Sequence, residues 1–196
     1  MFSRKEQIIK KTGPNGVGRY QFLSLLVQEF QKSTTLESKQ QVLANLANFS
    51  YDPINYEFIR QLNVIDIFLK ELSGNSNEDL LHFSLSGLCN LSPDPKNGEC
   101  IIKSNGVFLV SQLLLHKNVE ISLNALSILI FLITPESHAS ITTPEIINKV
   151  LHYHASSNQR LKNLGTIFLE DYCTTEQIDY AKKSSSLSTV DIPLPT

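Results

Sequence analysis

The residues that could carry catalytic or metal chemistry are few and poorly spaced for it. His152 and His154 flank Tyr153, and two residues at i and i+2 on a helix point to different sides, so they do not form a pair of metal ligands. Glu170 and Asp171 are adjacent and diverge on a helix, which argues against paired-carboxylate chemistry. There is no Gly-rich phosphate loop and no nucleophile elbow. The sequence therefore predicts no enzyme, no cofactor, no metal and no small-molecule substrate.

Composition narrows the classes of partner. The chain has 17 Lys and Arg against 19 Asp and Glu, a net charge of -2, so it lacks the dense basic face that strong non-specific nucleic-acid binding requires. Any contact with RNA is expected to be local or indirect, through a partner. Residues 1–11 lack the apolar core of a signal peptide, and no apolar run approaches the ~18 residues of a membrane span. We therefore expect no membrane contact.

An internal repeat of 42 residues is the most informative feature. Residues 46–49 (Leu-Ala-Asn-Phe) match residues 88–91 (Leu-Cys-Asn-Leu) at this shift. A third copy follows one residue out of step at 125–132, and a degenerate fourth is indicated by Leu161, Leu164 and Ile167. A period of this length is typical of stacked helical units, each of which buries its apolar face against its neighbours.

Within each copy, apolar residues recur at intervals of three and four residues, which predicts helices rather than strands. The pattern predicts one helix from Val64 to Leu72 and another from Glu78 to Leu91, with smaller helices at 55–62 and 97–104. Tyr20–Gln31 and Leu36–Phe49 supply a partial leading repeat, and a terminal helix is expected at 176–183. The buried face of the first helix is expected to comprise Tyr20, Leu23, Leu26, Val27 and Phe30. The chain is thus divided into a flexible extension at 1–16, a repeat domain at 17–183 and a flexible tail at 184–196.

The block from Asn55 through Ile59 and Asn63 to Asn90-Leu91 resembles the three-helix armadillo repeat. Its second copy keeps the glycine of that family at Gly106. The resemblance implies an all-α, right-handed armadillo solenoid of about three to four repeats. The stretches 41–49, 51–62 and 160–171 resemble a small member of the family more closely. That closer resemblance implies a nuclear subunit of the minor, U12-type spliceosome, paired with an RNA-recognition-motif splicing protein and with other spliceosomal proteins.

In armadillo folds, an Asn near the end of each long third helix can hydrogen-bond an extended peptide. The resemblance thus makes Asn48 and Asn90, with neighbouring Asn45, candidate protein-binding residues, because an amide both donates and accepts. Alternatively, these amides cap local turns. Ala44 and Ser86 stand where import receptors carry tryptophan, and the chain has no Trp, which disfavours that function.

A second candidate surface combines aromatic and polar residues, which are favoured as interface anchors. Its members are Tyr51, Asp52, Asn55, Tyr56 and Arg60. The alternative is that Tyr56 is half-buried packing and Arg60 a solvated charge. Arg160 and Asn163 lie on a later polar face, for which an ordinary solvent-facing stripe is the simpler explanation. Two functions stay open: a splicing adaptor, or a cytoplasmic armadillo adaptor that binds an extended peptide and has no part in splicing.

Overall fold

The computed structural model describes residues 16–74 and 77–187, together with Phe2 and Glu6. Most of the predicted N-terminal extension, and residues 188–196 of the predicted tail, lie outside this described part. The chain divides into two compact units between Val110 and Ser111, here called unit 1 and unit 2. The described residues form helices, turns and loops, and they include no strand. None of the helices in these ranges combines the length and the apolar character that crossing a bilayer requires.

Unit 1 contains the leading partial repeat and the repeat that starts at Asp52. Its predicted helices are found with their ends within two residues of the predicted ones. The helices of unit 1 are α1 (Arg19–Lys32), α2 (Leu36–Phe49), a 3-10 helix (Pro53–Asn55), α3 (Tyr56–Gln61), α4 (Val64–Gly74), α5 (Glu78–Leu91), α6 (Pro95–Lys103) and α7 (Gly106–Ser111).

Unit 2 starts at the last residue of α7 and contains the later helices. Its final helix reaches Leu187, four residues beyond the predicted end of the repeat domain at 183. The helices of unit 2 are α8 (Val119–Phe131), α9 (His138–Ile141), α10 (Pro144–Leu151), a 3-10 helix (His152–Ala155), α11 (Gln159–Tyr172) and α12 (Thr175–Leu187).

Polar N-caps fix where the four long helices α2, α5, α8 and α11 begin. The side chains of Thr35, Asn77, Asn118 and Asn158 each accept a backbone N–H from the first turn of the helix that follows, which satisfies a donor that has no intrahelical partner. The spacings between these caps are 42, 41 and 40 residues. The caps therefore give the register of the repeat directly. Residues that occupy equivalent positions can be compared between helices by these shifts.

The turn between the first and second helices of a repeat needs a left-handed residue. Asn63 has φ 53° and Asn105, at the 42-residue shift, has φ 61°. Asparagine tolerates this conformation better than most residues because its short polar side chain can hydrogen-bond locally. Gly106 follows Asn105, and a Cβ there would lie 2.6 Å from the carbonyl oxygen of Ile101. This close approach explains the glycine of the second copy.

The core of unit 1 is built by the apolar residues that define the repeat. Leu46 and Leu88 are both fully buried, and so is Phe68 of α4, against which α5 packs. The prediction for the first helix is confirmed for Leu23, Leu26, Val27 and Phe30. It is wrong for Tyr20, which is 44% exposed and places its ring edge-on to Phe58.

The core of unit 2 corrects the register of the fourth copy. In α11 the buried residues are Leu161, Gly165, Phe168 and Leu169. They are equivalent to Ile121, Ala125, Ile128 and Leu129 of α8 at the 40-residue shift, and those are buried too. Ile167, predicted to belong to the apolar repeat, is instead 46% exposed. The prediction was wrong because it followed the spacing of the leucines. The caps show that the repeat is shorter here, at 40 residues.

Candidate protein-binding face

The long helices α2 and α5 of unit 1 lie side by side and run parallel. Near their N-termini, the Gln40 amide donates to the carboxylate of Asp79 at 2.8 Å. Near their C-termini, the Asn90 amide donates to the carbonyl oxygen of Ala47 at 3.2 Å. Because both ends are joined, the exposed residues of the two helices line one continuous face.

Asn45 and Asn48 are two exposed amides of this face. They are three residues apart on α2, so both point to the same side, and both are exposed. Neither side chain hydrogen-bonds another described residue. Tyr51 follows in the turn after the helix and is 56% exposed. Its backbone N–H donates to the carbonyl oxygen of Asn48 at 3.3 Å. The exposed Tyr51 ring offers contact area, and the two amides offer donors and acceptors that match a peptide group.

Asn90 is placed differently from Asn48, although the two are equivalent in the repeat. Its amide N–H donates to Ala47, and its main-chain carbonyl accepts the Tyr56 hydroxyl at 3.0 Å. The amide nitrogen of Asn90 therefore already serves to join α2 and α5. Its side-chain oxygen has no partner among the described residues, so toward a ligand it offers chiefly an acceptor.

The second predicted surface points largely inward. Asn55 is 1% exposed, and its amide donates to the carbonyl oxygen of Phe49 at 2.8 Å, so this residue holds a turn instead of facing a partner. Asp52 is half-buried and caps the 3-10 helix by accepting the N–H of Ile54. Burial, with the carboxylates of Asp94 and Asp52, raises the pKa of the Tyr56 hydroxyl, which keeps that hydroxyl a donor.

Arg60 joins two repeats of unit 1. One of its guanidinium nitrogens donates to the carboxylate of Asp94 at 3.2 Å and to the amide oxygen of Asn97 at 2.6 Å. Its side chain is 23% exposed. The guanidinium is thus held by bonds within the chain, and Tyr51 is the exposed member of the predicted aromatic and polar set.

The two predicted residues of unit 2 also bond within the chain. Arg160 binds both carboxylate oxygens of Glu120, which ties α11 to α8. Asn163 is exposed, and its side-chain oxygen accepts from Gln159 at 2.7 Å, one turn earlier on the same helix. Both residues thus lie on α11 of unit 2, and both side chains bond within that unit.

One contact at this face was not predicted from the sequence. The ring of Phe2 packs against Tyr51, with 5.4 Å between the ring centroids. Phe2 thus adds a second aromatic ring at Tyr51. Two residues before Tyr51, the ring of Phe49 contacts the ring of Phe22 and the guanidinium of Arg19. Phe2 carries no periodic signal that would have indicated this contact.

The described side chains offer little for catalysis. Among them no group of three or more His, Cys, Asp or Glu is close enough to hold a metal ion. Burial raises the pKa of the Cys89 and Cys173 thiols to about 11, so both are protonated at neutral pH and are poor nucleophiles. Cys89 is half-buried, in keeping with its place beside the core of α5.

Comparison with known proteins identifies the family. The chain is 42% identical over 181 residues to armadillo repeat-containing protein 7 of Mus musculus, and the match covers 91% of each protein. The chain belongs to the armadillo repeat-containing protein 7 family. No family model matches the sequence.

Solved armadillo structures show the same fold. A computationally designed armadillo repeat protein for modular peptide recognition superposes with a TM-score of 0.72 at 12% identity, covering 85% of this chain and 71% of that one. A designed armadillo repeat protein in complex with the peptide (KR)4 gives a TM-score of 0.71 at 12% identity, over 86% and 73%. An engineered protein of the Northeast Structural Genomics Consortium gives 0.72 at 18% identity over 86% of this chain, but this chain spans only 44% of that protein. The fold is therefore an all-α armadillo solenoid, as predicted.

Proposed function

We propose that this armadillo protein is a non-catalytic adaptor that binds a segment of another protein on the face formed by α2 and α5. The observation that carries this proposal is the pair of exposed amides at Asn45 and Asn48, which have no hydrogen-bond partner among the described residues and are followed by the exposed Tyr51, whose N–H donates to the carbonyl oxygen of Asn48. A backbone segment laid across this face would find both donors and acceptors. The designed armadillo protein that holds a (KR)4 peptide supports a peptide-binding role for this fold.

We further propose that the adaptor acts in pre-mRNA splicing, as a nuclear subunit of the minor spliceosome. The family relationship and the resemblance of residues 41–62 and 160–171 support this assignment. The partner would be an RNA-recognition-motif protein, which supplies the nucleic-acid recognition. The balance of 17 basic against 19 acidic residues supports an indirect contact with RNA, because so weak a field attracts phosphate poorly.

Affinity purification from nuclear extract tests both parts of the proposal. The full chain is compared with a variant carrying Asn48→Ala and Tyr51→Ala, two exposed changes that leave the core intact. We expect the wild type to enrich an RNA-recognition-motif protein and minor-class small nuclear RNA, and the variant to lose both. Recovery of a cytoplasmic protein without splicing components would favour the peptide-binding cytoplasmic adaptor. Equal recovery by both forms would remove this face from the interface.

A further inference from the structure

A second exposed face exists in unit 2, where α8 and α11 pack side by side. The ion pair between Arg160 and Glu120 joins their first turns, directly after the caps Asn158 and Asn118. The two helices therefore run parallel, and each residue of α8 is level with the residue 40 positions later on α11. Residues that are equivalent by this shift lie on the same side of the pair, as the buried pairs 125/165 and 129/169 show.

The outward side of this pair carries large apolar side chains. Phe131 is 50% exposed at the end of α8, and Ile167 is 46% exposed on α11, one turn before the level of Phe131. Through the caps, Phe131 is equivalent to Asn90 of α5 and Ile167 to Ser86. Unit 2 thus presents apolar groups at positions where unit 1 has an amide and a small hydroxyl. By the 40-residue register both lie on the outward side of the pair, where large exposed apolar side chains are a mark of binding surfaces.

Two carboxylates border the apolar pair. Glu170 and Asp171 are exposed in the last turn of α11, and neither forms a salt bridge or hydrogen bond with a described residue. The C-terminal end of a helix carries partial negative charge, so carboxylates there are destabilising and cations are stabilising. The last turn of α11 contains no basic residue. A cationic partner would therefore supply the positive charge that stabilises this end of the helix.

We propose that Phe131, Ile167, Glu170 and Asp171 form a docking surface for a protein segment in which a large apolar side chain stands next to lysine or arginine. This inference deepens the proposed adaptor function and rests on it. The apolar side chain would cover Phe131 and Ile167, while the cation would pair with the two carboxylates. RNA and anionic membranes are disfavoured occupants, because the carboxylates repel phosphate.

The test uses the full chain, labelled with 15N, and two synthetic peptides. One peptide carries two leucines between two pairs of lysines, and the other has glutamate in place of each lysine. We expect the lysine peptide to cause saturable amide shifts in residues 127–131 and 167–171, and the glutamate peptide to bind at least about tenfold more weakly. The proposal is overturned if neither peptide shifts these residues, if both bind equally, or if an RNA oligonucleotide or anionic vesicles shift them in place of the lysine peptide.

Variants separate specific docking from non-specific adhesion. Phe131→Ser should weaken the lysine peptide about tenfold, and Glu170→Lys with Asp171→Lys should reverse the preference toward the glutamate peptide. The matched controls are Leu115→Ser, 51% exposed in unit 2, and Glu136→Lys, also exposed there. Controls that weaken binding as much as the site variants would contradict the proposal. Because no cellular partner is used, this result is independent of the recovery experiment on Asn48 and Tyr51.

Discussion

In unit 1, the exposed positions of the long helices carry amides, with Asn45 and Asn48 beside Tyr51. In unit 2, the equivalent side of the long helices carries Phe131 and Ile167 with two carboxylates beyond them. At the position of Asn48, which is equivalent to Phe131 and Asp171 by the cap shifts, all three side chains are exposed, so the difference there lies in side chains that the core does not need. A repeat whose core is fixed by a few buried positions leaves its outer residues free to acquire different partners.

The two units also differ in how their repeats are joined. In unit 1, polar groups at the margin of the core make the joints: Arg60 bridges to Asp94 and Asn97, and Tyr56 to Asn90. In unit 2, an exposed ion pair joins Arg160 to Glu120, but there is also a buried joint: the hydroxyl of Tyr153, a residue that is 3% exposed, donates to the carbonyl oxygen of Leu114. When a buried hydrogen bond is lost, its remaining partner is left unsatisfied. When a hydrogen bond at the margin of the core is lost, water can take the place of the missing group. Substitutions in the two units should therefore differ in cost.

The largest effect is expected in the core, where the two units should behave alike. Leu88→Ala in unit 1 and Leu129→Ala in unit 2 each remove a fully buried side chain and should lower the free energy of unfolding by about 2–5 kcal/mol. Leu25→Ala, at 48% exposure, is the control and should change it by less than about 0.5 kcal/mol. Urea denaturation measures all three. A Leu88→Ala protein as stable as the parent would contradict the assigned core.

The next effect separates the two arginine bridges. Arg60→Glu in unit 1 places a carboxylate beside Asp94 and removes the bond to Asn97, which should cost about 1.5–3 kcal/mol. Arg160→Glu in unit 2 opposes Glu120 in the same way, but the Arg160 side chain is 66% exposed, so its cost should stay below about 1 kcal/mol. Thermal denaturation of both variants checks this order. Equal losses would show that the two bridges are solvated alike.

The Arg60 bridge also changes a prediction made from the sequence alone. If Tyr56 and Arg60 were exposed surface residues, the double variant Tyr56→Ala with Arg60→Glu would weaken partner binding and leave the melting temperature unchanged. The structure predicts instead that the melting temperature falls, because both side chains join repeats.

A smaller effect distinguishes the two tyrosine joints. Tyr153→Phe should cost about 1–3 kcal/mol because the carbonyl oxygen of Leu114 loses its donor inside the core. Tyr56→Phe, at a half-buried site, should cost about 0.5–1.5 kcal/mol. Tyr180→Phe, at 62% exposure, is the control without a core contact. If Tyr56→Phe proves the costlier change, the contrast between a buried and a marginal joint fails.

The smallest effect is a dependence on alkaline pH. Burial raises the pKa of Tyr153 above its ordinary value of 10.0, so the folded protein holds that proton more tightly than the unfolded chain. The resulting stability is complete below about pH 10 and is lost as the pH rises through the folded-state pKa. Urea denaturation between pH 8 and about pH 11 should show a shallower decline for Tyr153→Phe than for the wild type. Parallel declines would indicate that Tyr153 titrates normally.

The sequence predicted the fold well because the fold depends on local signals. Each of these signals acts within one helix: the caps at Asn77 and Asn118, the prolines in first turns, and the apolar residues spaced three or four residues apart. The site was only partly predictable. Whether an amide is available to a partner depends on groups that are distant in the sequence. The Asn90 amide bonds the carbonyl oxygen of Ala47, 43 residues earlier. Asn55 is buried by packing that residue spacing does not predict. Phe131 and Ile167 were missed because leucine spacing was followed instead of the caps.

The most direct test of the central claim replaces the free amide of unit 1 by an isosteric acid. Asn48→Asp keeps the shape of the side chain and removes its donor, whereas Asn163→Asp makes the same change in unit 2, outside the proposed face. The affinity of the proposed RNA-recognition-motif partner, purified, for each variant is measured by calorimetry. We expect Asn48→Asp to weaken binding by about tenfold or more, and Asn163→Asp to match the wild type. Wild-type affinity in Asn48→Asp would contradict the claim that the face of α2 and α5 binds the partner.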